Sequence, residues 1–212
     1  MDASALQPIP YCHGMQEHSS ASIDRAKLSS LNTSGSFGHG NDCELNPLSL
    51  HLSLGLAYTV GSAIGSIPPS TDACLAAFVS PNIVGLTAGA RAWSKHAHRS
   101  QPHEISPEEA RENVESSAGW WGTPSGPVTQ INARALELFW KVMNAATWRN
   151  LHWLPHRILV YEARVAEGYG MRWSQDRSGV QGNETKVEEP EWIFRGFVEP
   201  MMEGGHEAGW RH

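Results

Sequence analysis

The tryptophans of this chain are concentrated towards one end. Eight of the nine lie after residue 118, in a stretch where apolar residues also recur at regular spacings. Each large aromatic side chain buries about 150 to 250 Å² on folding, and about 95 residues is near the size at which a single hydrophobic core becomes self-sufficient. The sequence therefore predicts a compact tryptophan-rich domain over residues 119–212.

The clearest helical pattern in this domain runs from residue 132 to residue 148. Arg134 and Lys141 fall on a polar face, while Phe139 belongs to an apolar one, as the spacings of three and four require. Asn132 is a candidate N-cap because its side-chain oxygen can accept a backbone N–H. Such an amphipathic helix must pack against another element.

Three strands are predicted after the helix, over residues 157–165, 169–174 and 191–199. The first alternates in polarity and is rich in β-branched and aromatic residues. The short turn at residues 166–168 makes the first two strands an antiparallel hairpin, because a parallel return needs a long crossover. The predicted fold is thus α+β: one long amphipathic helix packed on a small antiparallel sheet of about three or more strands, preceded by a largely disordered N-terminal half.

That N-terminal half divides into three segments by composition. Residues 1–44 are rich in Ser, Gly and His and are predicted to be disordered. Residues 45–103 are weakly apolar and predicted to be poorly ordered; Ser, Gly and Pro dilute their apolar runs, so membrane contact by residues 45–90 is the less favoured alternative. Residues 104–118 contain a capping box at Ser106 and predict a short charged helix.

Charge and cysteine content restrict the expected partners and compartment. Residues 1–118 carry 6 Lys and Arg against 11 Asp and Glu, and residues 119–212 carry 10 against 11. Because nucleic-acid binding relies on cations that neutralise phosphates, this balance predicts no nucleic-acid partner. The three cysteines form no disulfide framework, and no secretory signal is visible, which predicts an intracellular, cytoplasmic protein.

A group of histidines and glutamates supplies one candidate site. Imidazole and carboxylate groups suit a divalent metal such as zinc, and the group comprises His152, His156, Glu203, His206 and Glu207. Pro155 disfavours a helix that would place His152 and His156 on one face, so the alternative is that these two histidines cap a helix end. A metal-dependent enzyme or metal-stabilised domain is therefore the second functional hypothesis, and no cofactor is the first expectation.

Aromatic residues beside arginines supply the other candidate site. The residues are Arg172, Trp173, Arg195 and Trp210. Aromatic and Arg anchors dominate the energetics of many interfaces, although tryptophans in a small domain are also its natural core. No nucleophile motif or phosphate loop is recognised. The leading hypothesis is a non-enzymatic binding or interaction module for an unknown protein, peptide or small ligand, with enzymatic activity left undecided.

Overall fold

The computed structural model describes residues 9–33, 46–97, 119–179 and 189–201. These residues contain five α-helices and one four-stranded sheet. The helices are α1 (Ala21–Thr33), α2 (Pro47–Ser53), α3 (Thr71–Val79), α4 (Ala88–His96) and α5 (Val128–Ala145). The strands are β1 (Trp148–Leu154), β2 (Ile158–Arg164), β3 (Gly170–Asp176) and β4 (Ile193–Val198).

The sheet is an antiparallel meander in the order β1-β2-β3-β4. Strands β2 and β3 pair with Tyr161 opposite Trp173, and their connection turns at Gly168, whose φ of 104° suits glycine. The predicted hairpin is confirmed. The third predicted strand corresponds to β4, which pairs with β3 across a register shift between Arg172 and Trp173.

Strand β1 is the element that the sequence analysis does not predict. The predicted helix extends to Trp148, but α5 ends at Ala145 and Trp148 begins β1. Within β1, Leu151 alternates with polar neighbours at the period of two that a strand requires. A 3₁₀ turn over Pro155–Arg157 then reverses the chain into β2, so His152 does not cap a helix end.

The start of α5 also differs from the prediction. The helix begins at Val128, directly after Pro127, and has no side-chain cap. Asn132 lies one turn inside and serves another purpose: its Oδ1 accepts the N–H of Thr87 at 3.1 Å and its Nδ2 donates to the carbonyl of Gly85 at 2.8 Å. Asn132 thus joins α5 to the turn that precedes α4.

One face of the sheet packs against α5 and forms the main core. The buried side chains of this layer are Leu151, Leu159, Tyr161, Ala163, Met171 and Trp173 from the sheet and Ala135, Phe139, Val142 and Met143 from α5. Helix-on-sheet packing and the α+β class are therefore confirmed.

The N-terminal half contributes to the same core. The ring of Phe78 in α3 lies 5.1 Å from the ring of Phe139 and 4.8 Å from that of Phe194, measured between centroids, and Trp93 of α4 is buried. Residues 9–33 and 46–97, for which the sequence predicts disorder or poor order, are folded in the structure. Helices α2, α3 and α4 are short and begin at side-chain caps such as Ser70, so no long periodic pattern marks them.

None of the helices in the described part of the chain is long and apolar enough to span a membrane. The predicted charged helix within residues 104–118 and most of the tail after Pro200 lie outside the described residues.

Gly89 of α4 allows a test of the packing around Phe78, whose ring lies between the N-terminal helices and the main core. A Cβ at this position would lie 2.1 to 2.4 Å from three ring atoms of Phe78. Gly89→Ala should therefore lower the free energy of unfolding by about 1–3 kcal/mol, because the ring must move out of a close-packed site. Urea denaturation measures this change. Gly61→Ala is the matched control, since its Cβ would meet no atom within 4 Å; equal stability of the two variants would contradict the packing described here.

Candidate functional site

The face of the sheet opposite α5 carries charged side chains. Along β2, Tyr161 and Ala163 belong to the core, whereas Glu162 and Arg164 point to the other side. Strand register places Asn150 of β1 opposite Glu162, and Glu162 opposite Arg172 of β3. A polar row therefore crosses three neighbouring strands.

Glu162 is the centre of this row. It is 3% exposed, and both of its carboxylate oxygens accept hydrogen bonds from arginine. Oε1 accepts from Nε of Arg164 at 2.6 Å. Oε2 accepts from Nε and Nη2 of Arg172 at 2.8 and 2.5 Å. Burial raises the pKa of Glu162, but the two guanidinium groups more than offset this, and the net pKa is lowered. The carboxylate is therefore ionised and held between two cations.

Arg164 is fixed in place by the backbone around it. Its Nη1 donates to the carbonyls of Gly168 at 2.6 Å and Glu199 at 2.7 Å, and the residue is 1% exposed. Gly170 lies beside it: a Cβ there would be 2.3 Å from the carbonyl oxygen of Ala163 and 2.7 Å from Cγ of Arg164. Only glycine at position 170 leaves room for the side chain of Arg164.

Arg172 is the charged member of the row that reaches the surface. Its side chain is 26% exposed, against 4% for Glu162. Arg172 donates to Glu162 through Nε and Nη2. Its third nitrogen, Nη1, takes no part in this ion pair. Glu162, Arg164 and Arg172 together carry one net positive charge, which favours an anionic ligand at the exposed end.

His152 lies on the same face, diagonal to Glu162 across the β1–β2 pair. The side chain is partly buried, and Nδ1 is enclosed with no hydrogen-bond partner among the described residues. Burial lowers the pKa of His152; Glu162 raises it, and Arg172 and Arg164 lower it further, with a net decrease. The imidazole is therefore mostly neutral at pH 7 and able to accept a proton.

Residues from the N-terminal half border this cluster. Oγ of Ser62 donates to Oδ1 of Asn150 at 3.2 Å, and Nδ2 of Asn150 lies 3.4 Å from Oγ1 of Thr59. Cys12 is buried against Trp148 and Ala57. Burial raises the pKa of the Cys12 thiol; the nearby Arg164 lowers it and Glu162 raises it, with a net increase. The cluster is thus bounded on one side by residues from the beginning of the chain.

The aromatic and arginine residues named from the sequence do not form one surface. Trp173 is fully buried, and its Nε1 donates to the carbonyl of Cys74 at 3.1 Å, so it belongs to the core. Arg172 belongs to the cluster around Glu162, and Arg195 is exposed on β4. Trp210 lies outside the described residues.

The metal hypothesis stays a prediction. His152 lies in β1, whereas His156 is exposed in the 3₁₀ turn with a φ of 63°. No group of three or more His, Cys, Asp or Glu residues suited to a metal occurs in the part of the chain that the structure describes. Glu203, His206 and Glu207 lie outside it.

The cluster residues that sequence reasoning did not assign are Glu162 and Arg164. The signal was present: both are charged, occupy alternate positions, and interrupt an otherwise apolar strand, ILVYEAR. A charge inside such a strand is rarely buried unless it is paired. The sequence, however, gives no distances from which the partners could be chosen.

Residues 110–183 match the family model of the CdiA C-terminal tRNase toxin domain. The matched stretch contains α5, β1, β2 and β3, and therefore the whole cluster of His152, Glu162, Arg164 and Arg172. No curated protein and no solved structure matches the chain.

This match contradicts two predictions made from the sequence. The first is a non-enzymatic binding module, because the matched family is one of toxin nucleases. The second is the absence of a nucleic-acid partner, because the family name specifies tRNA. The error has a physical origin: net charge averages over a domain, whereas a phosphate responds to the cations within one Debye length of it, ~8–10 Å. The net charge of the domain does not reveal that two arginines lie beside one carboxylate.

Replacing Glu162 should show how far the structure depends on the two ion pairs. Glu162→Gln leaves Arg164 buried without its counter-charge, and we expect a loss of about 3–5 kcal/mol in the free energy of unfolding at pH 7. Urea denaturation of the wild type and the variant measures it, with Glu191→Gln, an exposed glutamate, as the control.

The ion pairs of Glu162 also predict how the stability of the protein changes with pH. Since the pKa of Glu162 is lowered on folding, its stabilising contribution is present above the unfolded-state pKa and is lost as pH falls through the folded-state value. The stability difference between wild type and Glu162→Gln should therefore shrink below the ordinary glutamate pKa of 4.5. A difference that stays constant as the pH falls well below that value would contradict the assignment.

Proposed function

We propose that this chain is a ribonuclease that cleaves tRNA at the cluster around Glu162. The observation that carries the proposal is that a stretch matching a tRNase toxin domain model contains a buried carboxylate paired to two arginines, with a histidine on the same face of the sheet. A base that can activate the 2′-hydroxyl and a cation that can stabilise charge on the phosphate are groups with which a protein can promote cleavage of an RNA phosphodiester.

Arg172 is assigned to the scissile phosphate. It is the partly exposed cation of the cluster, and a guanidinium matches the geometry of phosphate oxygens. Glu162 fixes the guanidinium through two hydrogen bonds, and Arg164 in turn fixes Glu162. Glu162 and Arg164 are positioning residues in this assignment, because both are buried and fully engaged with each other and with Arg172.

His152 is assigned as the general base. Both oxygens of Glu162 are occupied by arginines, whereas the imidazole of His152 has a lowered pKa and a partly exposed ring. Since Nδ1 is enclosed, Nε2 is the nitrogen that would meet the substrate.

The RNA itself supplies a nucleophile next to the phosphate, its 2′-hydroxyl. In the proposed reaction His152 removes the proton of this hydroxyl, and the 2′-oxygen forms a bond to phosphorus. The bond from phosphorus to the 5′-oxygen breaks, and the leaving oxygen takes a proton from solvent. His152 then returns its proton to solvent, so the net change is one proton moved from the 2′-oxygen to the 5′-oxygen, and the products are a 2′,3′-cyclic phosphate and a 5′-hydroxyl. Arg172 stabilises the negative charge that develops on the phosphate oxygens.

An enzyme of this kind acts where tRNA is found. The proposal therefore places its activity in the cytoplasm of a cell that contains the substrate, in keeping with the intracellular location expected from the sequence.

Cleavage of purified tRNA by the full chain tests the function. We expect His152→Gln to lower kcat about 10²- to 10⁴-fold, the range for removing a general base, with the circular dichroism spectrum and Tm close to those of the wild type. His156→Asn is the matched control, because His156 is exposed in the neighbouring turn and Asn tolerates its positive φ. Absence of cleavage by the wild type would overturn the proposal, as would equal activity of the two variants.

The pH profile gives a second test of the assigned base. General-base catalysis needs neutral His152, so kcat/KM should rise with pH through the pKa of this residue and then level off. Because burial lowers that pKa, the midpoint should lie below the ordinary histidine value of 6.5. A midpoint above this value, or a profile that falls as pH increases from 5 to about 7, would rule out His152 as the base.

A further inference from the structure

A cleft of about 380 Å³ opens beside α5, away from the polar cluster. Its lining comes from α4, from the loop before α5 and from α5 itself. The residues are Trp93, Trp121, Gly122, Thr123, Arg134, Glu137, Leu138 and Lys141. With the exception of Trp93, all of them lie within the stretch that matches the tRNase model.

The aromatic walls of the cleft are fixed. Nε1 of Trp93 donates to the carbonyl of Trp121 at 3.0 Å, and Nε1 of Trp121 donates to Oε1 of Glu199 at 2.8 Å. Both indole rings are almost completely buried. The cleft is therefore a preformed feature of the fold, and a ligand would not have to order these side chains on binding.

Two cations lie on the α5 side of the cleft, seven residues apart and hence on one helix face. Nζ of Lys141 lies 3.7 Å from the centroid of the Trp120 ring and donates to the Trp120 carbonyl at 3.2 Å. Nη1 of Arg134 donates to Oγ of Ser125 at 3.1 Å. These hydrogen-bond acceptors are uncharged. Glu137 also lines the cleft, so the lining carries one net positive charge.

Glu199 connects the wall of the cleft to the polar cluster. Glu199 follows β4; its carboxylate accepts from Trp121 of the cleft wall, and its backbone carbonyl accepts from Arg164 of the cluster. Glu199 thus contacts both the cleft wall and the buried Arg164 of the cluster, and a substrate with the many phosphates of tRNA can engage both sites.

We propose that this cleft binds a backbone phosphate of the tRNA substrate away from the bond that is cleaved. The inference rests on the proposed function. Arg134 and Lys141 supply the charge, held by contacts with Ser125 and Trp120, and the fixed indole rings of Trp93 and Trp121 form the walls of the recess beside them. Contacts of this kind position a nucleic acid without reading its sequence, so they contribute to binding of the whole tRNA rather than to the chemical step.

The double variant Arg134→Ala/Lys141→Ala tests the proposal in the full chain. KM for tRNA should rise about tenfold or more, with kcat within about twofold of wild type, because positioning phosphate contacts contribute uniformly to binding. The slope of log kcat/KM against log salt concentration should become shallower by about 1 for each phosphate that the variant no longer neutralises. The matched control is Lys27→Ala/Arg91→Ala, which removes one exposed lysine and one exposed arginine from other helices.

A short oligoribonucleotide spanning only the cleaved bond separates this proposal from the function itself. Wild type and the double variant should cleave it with equal kcat/KM, since an oligonucleotide that spans only the cleaved bond has no second phosphate for the cleft. An equal decrease on tRNA and on the oligonucleotide would overturn the cleft assignment and leave the ribonuclease proposal standing. The same holds if the control variant is impaired as much as the double variant. Failure of the wild type to cleave either substrate would overturn both.

Discussion

The ion pairs of Glu162 are the interaction on which the polar face of this sheet depends. Taking a carboxylate and a guanidinium out of water is costly, and their attraction offsets that cost only when geometry and further hydrogen bonds are good. Here Arg164 meets both conditions through Glu162 and two backbone carbonyls. The result is a rigid base on which Arg172, the partly exposed member, is oriented. Preorganisation of this kind allows a cation to stabilise developing charge without moving.

The described N-terminal residues complete a sheet that would otherwise have an open edge. Backbone groups of Ala57, Gly61 and Ala63 hydrogen-bond along the outer side of β1, where unpaired groups would invite association with another chain. The same segment supplies Ser62 to the cluster. These residues precede the matched stretch. The structural unit is therefore larger than the part of the chain that resembles a known family.

The sequence predicted the elements in which one buried face imposes a regular period on the residues. It did not predict contacts between residues far apart in the chain. The amphipathic pattern around Phe139 and the alternation around Tyr161 predicted α5 and the hairpin, because burial of one face imposes a period on the sequence. Strand β1 was missed since its residues follow a strong helical pattern without a break. The candidate binding face at Trp173 is not present, because contacts between residues far apart in the sequence place this side chain in the core; its Nε1 donates to the carbonyl of Cys74, 99 positions away. The partners of Glu162 were hidden for the same reason: register, not composition, brings Arg172 beside it.

Gly170 restricts which sequences can keep the charged cluster on the polar face of the sheet. A side chain at this position would collide with the backbone of Ala163 and with Arg164, so the first residue of β3 has little freedom while Arg164 keeps its path. Loss of the arginine alone would not free the position, because the carbonyl oxygen of Ala163 would still lie 2.3 Å from a Cβ there, whereas a side chain gained at 170 would also displace the arginine. A related sequence that keeps the arginine on this path should therefore also keep glycine at the start of the strand, whereas the glycine can persist without the arginine.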